Sequence, residues 1–362
     1  MNRELNKILL NQKFERIFIL SGEKSFKNIK AKKYFSEVLK KKKYKIFYKK
    51  SFLPNLDELK IIIKNLKDFN PDLFIAIGGG CVLDYAKMAN ILDLKSNSAS
   101  LIEKYRQPVK KKYTKLLAIP TTAGSGAEVT SNAVIYVNGV KYSIEHKDLI
   151  PDYYFLIPEF VFMTPKKIKS SAGFDAYAQA IESLFAVKSN DLSVEYSIKA
   201  LKKINLSLTN YYYKPTLENS LLLAQGANLA GKAISISKTT LPHAISYPFS
   251  MHYNLSHGHA VSLFFEILIK YNYDNLNESN LNFDLRGRFN LLFKTLDLKN
   301  INDFLFKISE LKKKLKLNDN LAELNINIQK DKNKILSGIN FLRLNNNPIS
   351  ITPSTILSLI QK

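Results

Sequence analysis

Apolar positions in the first part of the chain come in two rhythms. Short continuous runs of strand length stand at Arg16–Ser21 (RIFILS), Lys45–Tyr48 (KIFY), Leu73–Ile77 (LFIAI), Leu116–Ile119 and Ala133–Val137. A strand that is apolar at every position suits a sheet covered on both faces. Between these runs lie stretches with helical spacing. One carries Tyr34, Phe35, Val38 and Leu39; the next, Leu56–Phe69, carries Leu59, Ile62, Ile63 and Leu66 on one stripe. Strand alternating with helix predicts a parallel, doubly wound α/β sheet. After about Thr164 the pattern changes. Longer segments, Asp175–Val187, Val194–Leu208, Leu217–Ile236 and Asp303–Leu317, read as helices, and Pro165 suits the start of one. The boundary is expected near residue 164, giving two domains, 1–164 and 165–362.

The composition of the 362 residues, 46% hydrophobic and 23% charged, excludes wholesale disorder. No apolar run approaches the roughly 18 residues of a membrane span. The first twenty residues hold acids and no clean apolar core, so no secretory signal is expected and a cytoplasmic location is. Cys81 is the single cysteine, so an intrachain disulfide scaffold is ruled out. The outlying quantity is charge: Lys+Arg 54 against Asp+Glu 31, a formal +23. That raises a nucleic-acid or membrane-surface binder. Nearly all of the positive charge is lysine, however, whereas nucleic-acid sites lean on bidentate arginine. The lysine also comes with abundant Ile, Asn, Phe and Tyr and no Trp, a compositional bias. Neither nucleic acid nor membrane is therefore expected as a partner.

Three groups of residues can carry chemistry. Gly78-Gly79-Gly80 follows a buried run and opens GGGCVLDYAK. Such glycines let the backbone turn sharply and approach a ligand, and the next helix directs N–H groups at an anion. The motif matches neither GxGxxG nor Walker A, and a tight turn without a ligand is the alternative. Pro120–Thr130 (PTTAGSGAEVT) offers small residues and hydroxyls after another strand. Both loops fall at strand ends, where open α/β sheets bind ligands. Third, Asp175 and Gln179 are four apart and share a helix face, while His243 and His257 flank Pro248. One carboxylate and two imidazoles can hold a divalent transition metal with an open position. Of the five histidines, all but His146 fall within 243–259. Spacing alone leaves structural or surface histidines open as the alternative.

Taken together, these residues resemble the iron-containing (group III) alcohol dehydrogenase family, relatives of dehydroquinate synthase. The resemblance runs from the first strand and Pro54-Asn55 through GGGCVLDYAK, PTTAGSGAEVT, FDAYAQAIES and HAISYPFSMHYNLSHGHAVSL to Asn345-Asn346-Asn347-Pro348. It implies a Rossmann-like α/β nucleotide-binding domain over 1–164 and an all-α, metal- and substrate-binding domain over 165–362. KYSIEHKDLIPDYYFLIPE, AQAIES and LAGKAISISKTTLPHAISYPFSMHYNLSHGHAV look like the phosphonoacetaldehyde reductase branch, whose members make 2-hydroxyethylphosphonate in phosphonate biosynthesis. Two positions depart from the family pattern: Gln179 stands where a ligand histidine is usual, and Tyr247 replaces a second histidine. Both changes look typical of that branch, although an amide oxygen is a weaker ligand than imidazole.

The resemblance implies hydride transfer from NADPH or NADH to an aldehyde, with Fe²⁺ (or Zn²⁺ or Mn²⁺) held by Asp175, His243, His257 and, weakly, Gln179. It implies that Gly79 and Gly80 face the pyrophosphate, that Thr121, Thr122 and Ser125 line the nicotinamide side, that Asn55 and Asp84 lie near the cofactor, and that Lys141 meets its polar groups. Gly22 ends the first strand where NAD-using relatives often carry aspartate. With Lys24 and Lys49 nearby NADPH is favoured, Glu23 being the complication. Tyr247 and His259 are candidate proton donors, with packing or hydrogen bonding as their alternative role. A phosphonate tail needs cations, for which Lys232, Lys238 and His146 are candidates against ordinary surface positions. The expected partners are a small aldehyde or alcohol, a phosphonate among them, and a second copy of the chain in a homo-oligomer (dimer). The competing readings are a relative acting on another small aldehyde or alcohol, and a dehydroquinate synthase-like cyclase, which net NADPH consumption would exclude.

Overall fold

The computed structural model describes residues 3–11, 13–94, 98–103, 109, 111–279 and 281–361. By its internal contacts the chain forms two compact units, Met1–Thr122 with Ala127–Thr164, and Ala123–Gly126 with Pro165–Lys362.

The first unit is built on β1 (Arg16–Gly22), β2 (Lys43–Lys49), β3 (Leu73–Gly78) and β4 (Lys115–Pro120), with a separate antiparallel pair β5 (Asn132–Val137) and β6 (Val140–Glu145), and the two-residue β7 (Tyr153–Tyr154). The main sheet is parallel throughout, in the order β2-β1-β3-β4-β7. Alternate side chains feed two cores. Phe18, Leu20, Phe74, Ala76 and Leu116 pack with α1 (Leu56–Phe69) and α2 (Gly80–Ile91). Ile17, Ile19, Ile75, Ile77 and Leu117 fill the opposite face. Burial on both sides is why β3 and the centres of β1 and β4 are continuously apolar.

Ala133–Val137, expected as another strand of this sheet, belongs instead to the β5–β6 hairpin. Asn138 (φ 49°) and Gly139 (φ 76°) occupy the left-handed region that a tight two-residue hairpin turn demands. Only alternate residues of β5 are buried, as in a strand covered on one side. The fifth parallel strand, β7, is too short to leave a pattern. Because β2 and β3 flank β1, the strand order reverses there, and the carboxyl ends of β1 and β3 frame the crevice where such sheets bind ligands.

The second unit is helical. Its site-bearing members are α3 (Lys166–Phe185), α4 (Asp191–Tyr213), α5 (Leu217–Ser237), α6 (Leu241–His252) and α7 (His257–Ser262). Pro165 caps α3, which therefore starts well before Asp175. Asn190 and Thr216 open α4 and α5 with reciprocal capping boxes. From Gly173 to Ala186 every residue of α3 and its cap is buried, so it is the central helix of this unit. Pro248 inside α6 cannot bond Ala244 O one turn back; Asn340 N donates to that carbonyl instead, at 3.3 Å. No helix among the described residues is long and apolar enough to cross a membrane.

Candidate active site

A polar side chain inside a helix buried on every face needs a partner. Asp175, Gln179 and Glu182 are such residues, spaced to share one side of α3. His243 lies in the first turn of α6 and His257 opens α7. Ligand atoms of Asp175, His243 and His257 all fall within 4.8 Å of one another. His243 Nε2 is 3.2 Å from Asp175 Oδ1, and His257 Nε2 is 4.0 Å from the same oxygen. Gly258 makes this approach possible: a Cβ there would lie 2.0 Å from Ser171 O and 2.9 Å from the Asp175 Cβ.

Gln179 Oε1 is buried and meets no hydrogen-bond donor among the described residues. An acceptor left bare in the interior costs roughly 1–3 kcal/mol, a penalty that a cation at this place would remove. A carboxylate oxygen, two imidazole nitrogens and a neutral amide oxygen are a donor set that fits Fe²⁺, Zn²⁺ or Mn²⁺.

Glu182 is the residue that sequence reasoning passed over. It is wholly buried; Oε1 contacts His243 Nδ1, and Oε2 accepts from Thr240 N at 2.7 Å and Thr240 Oγ1 at 2.8 Å. A carboxylate behind a ligand imidazole fixes its tautomer and orientation. The signal was its position two turns after Asp175 on the same helix face. Burial disfavours a charged His243 ring, but the Glu182 and Asp175 carboxylates outweigh it and raise its pKa to about 10. Metal and proton thus compete for Nε2.

The other candidates of this unit are placed variously. Tyr247, buried one turn beyond His243, has its ring 6.1 Å from that of His257. His259 is turned elsewhere: its Nε2 lies 2.6 Å from Asn318 O and its backbone N donates to Ser171 Oγ. The Lys232 ammonium lies 5.9 Å from the Tyr196 ring, on α4. Lys238 caps α5 at φ 61°, ψ 177°, and its Nζ donates to Ser235 O at 3.2 Å. Ser125 belongs to the short stretch that packs with this unit, where Gly124 lies against Ala172 and Gly126 (φ 58°) against the backbone of Gly231.

In the first unit, Gly22, Gly79 and Thr121–Thr122 gather at the carboxyl ends of β1, β3 and β4. Gly22 is in register with Lys49. Gly79 caps α2 without a side-chain bond, Gly80 is the first residue of that helix, and a Cβ on Gly79 would sit 3.4 Å from Thr122 Oγ1. Asn55 is committed to the start of α1: its Oδ1 accepts from Glu58 N and its Nδ2 donates to Ser51 Oγ. Asp84 Oδ2 accepts from Val134 N at 3.1 Å. Burial pushes the Asp84 carboxyl up to about 6 against the pull of Lys87 and Lys141. Lys87, enclosed, donates to Ala127 O, Thr130 Oγ1 and Asn132 O and so ties α2 to the start of β5. Lys141, on β6, pairs with Tyr136 of β5, and His146 Nδ1 accepts from Asp148 N at a local turn. Burial raises the Cys81 thiol to about 12, so it stays protonated.

Comparison with known proteins matches both units. Residues 2–158 fit the family model of iron-containing alcohol dehydrogenases, and residues 169–362 fit that of the Fe-containing alcohol dehydrogenase family, C-terminal. The chain is similar to 4-hydroxybutyrate dehydrogenase of Clostridium kluyveri, 32% identical over 231 residues, which is 61% of this chain and 60% of that protein. It is similar to phosphonoacetaldehyde reductase of Streptomyces viridochromogenes, 28% identical over 228 residues, 60% of this chain and 57% of that protein. The matched part thus spans less than two thirds of either relative's length. The crystal structure of sulfoacetaldehyde reductase from Bifidobacterium kashiwanohense in complex with NAD+ shares the fold, with a TM-score of 0.88 at 22% identity over 99% of this chain and 93% of that one. The phosphonoacetaldehyde branch is therefore not singled out, since a relative named for another substrate is at least as similar. The chain belongs to the iron-containing alcohol dehydrogenase family and is an oxidoreductase of that type.

Proposed function

We propose that the protein is a metal-dependent reductase of a small aldehyde carrying an anionic tail, with NADPH as hydride donor and phosphonoacetaldehyde as the first substrate to try. The observation that carries the metal-dependent chemistry is the Asp175–His243–His257 cluster, together with the bare Gln179 oxygen one helical turn after Asp175. A divalent metal bound there would act as a Lewis acid toward the carbonyl oxygen. The nicotinamide would supply the hydride, so that aldehyde, NADPH and a proton become alcohol and NADP⁺.

The chain's own residues divide the remaining work. Glu182 holds His243 by Nδ1 and leaves Nε2 facing Asp175. Tyr247, beside His257, is the candidate to hand a proton to the forming alcohol. His259 is less suited, because its Nε2 already serves Asn318 O. Gly79, Gly80, Thr121 and Thr122 offer backbone N–H groups and hydroxyls to the cofactor at the crevice that parallel sheets use. Asn55, Asp84 and Lys141 complete the proposed lining in this unit, Asn55 and Asp84 by shaping the backbone. The absence of an acid at Gly22, and the cation Lys49 in register with it, support NADPH over NADH.

The anionic tail is supported by the substrates for which three relatives are named: 4-hydroxybutyrate, phosphonoacetaldehyde and sulfoacetaldehyde all bear an acid group. Lys238, two residues ahead of Thr240 and five ahead of His243, is the preferred tail-binding cation on that placement, with Lys232 and His146 as the alternatives. The test is NADPH oxidation with phosphonoacetaldehyde and with an uncharged aldehyde of similar size, after loading with Fe²⁺, Zn²⁺ or Mn²⁺. Lys238→Ala should raise KM for the phosphonate far more than for the uncharged aldehyde. Equal effects would remove the tail-binding role, and no turnover with any metal would remove the reductase reading.

A further inference from the structure

Asn346 lies in the Asn345-Asn346-Asn347-Pro348 motif, far in sequence from any ligand, yet it is 3% exposed. Its Nδ2 donates to Ser237 O at 2.8 Å and to Thr239 O at 2.9 Å, the carbonyls on either side of Lys238. Its Oδ1 accepts from Lys188 N and its main-chain oxygen from Val187 N, just past the end of α3. Both N–H groups of the amide, and its oxygen, are thus committed.

Lys238 stands between those two carbonyls at φ 61°, ψ 177°, a backbone region that essentially only glycine enters without strain. Strain of this kind persists only where the surroundings impose it. Here they do so on both sides. Asn346 grips the turn from the C-terminal segment, and Ser237 Oγ shares a 2.7 Å hydrogen bond with Ser183 Oγ, next to Glu182 on α3. Immediately beyond the turn, Thr240 donates twice to Glu182, and Glu182 holds His243. If the turn relaxed, Thr240 would move off Glu182 and the carboxylate behind His243 would lose two of its three contacts.

We propose that Asn346 is a positioning residue for the metal site: its amide holds the Ser237–Thr239 turn in the strained form that keeps Thr240 on Glu182 and so sets His243. The inference rests on reading Asp175, His243 and His257 as metal ligands.

The experiment is a Co²⁺ titration of the full chain, stripped with chelator, followed by visible absorption and by competition with a chelator. Wild type is compared with Asn346→Ala, with Asn346→Asp, and with each of these combined with Lys238→Gly. Asn346→Asp keeps the acceptor for Lys188 N and loses both donors, so it serves if the alanine variant does not fold. Co²⁺ affinity should fall about tenfold in the single Asn346 variants, the low end of what loss of a ligand-supporting partner costs. Adding Lys238→Gly should return it to within about threefold of wild type, because glycine holds φ 61° without strain. A residue that merely anchored the C-terminal segment would give no such rescue. Single variants binding Co²⁺ as tightly as wild type, or folded double variants with no recovery, would overturn this inference while leaving the metal reading intact. A wild-type chain that bound no Co²⁺ would remove both together.

Discussion

Replacing Glu182 by glutamine is the sharpest test of how His243 is held. The change keeps size and shape and removes only charge and one acceptor. Glu182 now accepts on both sides: from Thr240 N (2.7 Å) and Oγ1 (2.8 Å) through Oε2, and from His243 Nδ1 through Oε1. An amide has one oxygen and can serve only one side. With that oxygen on Thr240, the NH₂ faces Nδ1 and pushes the imidazole proton to Nε2, the atom 3.2 Å from Asp175 Oδ1 that a metal needs. With the oxygen on His243, the NH₂ faces the Thr240 N–H, and a buried donor goes unmet at a cost of roughly 1–3 kcal/mol. Both routes lead to the same scale as the 10- to 100-fold loss of metal affinity expected for such partners, about 1.4–2.8 kcal/mol. The assay is Zn²⁺ or Co²⁺ binding to the full chain in competition with a chelator at fixed pH, alongside urea unfolding of the metal-free protein. Glu182→Gln with an affinity within about threefold of wild type would refute the reasoning.

Gly258→Ala should destabilise the protein by roughly 3 kcal/mol in urea unfolding, because the added methyl meets backbone oxygen and the Asp175 Cβ rather than yielding side chains; an unchanged midpoint would contradict the close packing of α7 on α3. Tyr247→Phe should lower kcat on the order of a hundredfold while Co²⁺ affinity stays put, and an unaltered kcat would take the hydroxyl out of the proton path. Asp84 gives a pH prediction. Burial raises its carboxyl from 3.8 to about 6, so ionisation works against the folded state. That cost is absent below about pH 4, develops between about pH 4 and 6 and is complete above, amounting to roughly 3 kcal/mol. Relative to Asp84→Asn, wild type should therefore gain stability as pH falls from 7 toward 4, and a difference flat with pH would contradict the buried, ionisable Asp84.

Much of the architecture is readable from short-range pattern. Leu73–Ile77 is apolar at every position and lies in a strand buried on both faces, and the stripe through Leu59, Ile62 and Leu66 marks a helix with the bounds expected for it. The pattern misled at Ala133–Val137, where a short apolar run does not say which sheet receives it; the Asn138-Gly139 pair was the overlooked hairpin signal. In the site, the four-residue spacing of Asp175 and Gln179 is a helix-face statement that survives intact. The choice between His257 and His259 is not of that kind. Two positions apart on a helix, they point different ways, and only packing shows that His257 meets Asp175 while His259 meets Asn318 O.

By itself, then, the chain's pattern determined that a buried sheet precedes a set of helices, where glycine turns close strands, and which residue types could bind a metal. These follow from local periodicity, backbone freedom and side-chain chemistry, all readable within a few positions. Tertiary structure alone decided that Glu182 stands behind His243, that Asp84 bonds to Val134, and that Asn346 grips the turn around Lys238 from 107 residues away. The reason is the same in each case. A buried polar group must find a partner, and the partner is chosen by how the elements pack, over separations that no local pattern records.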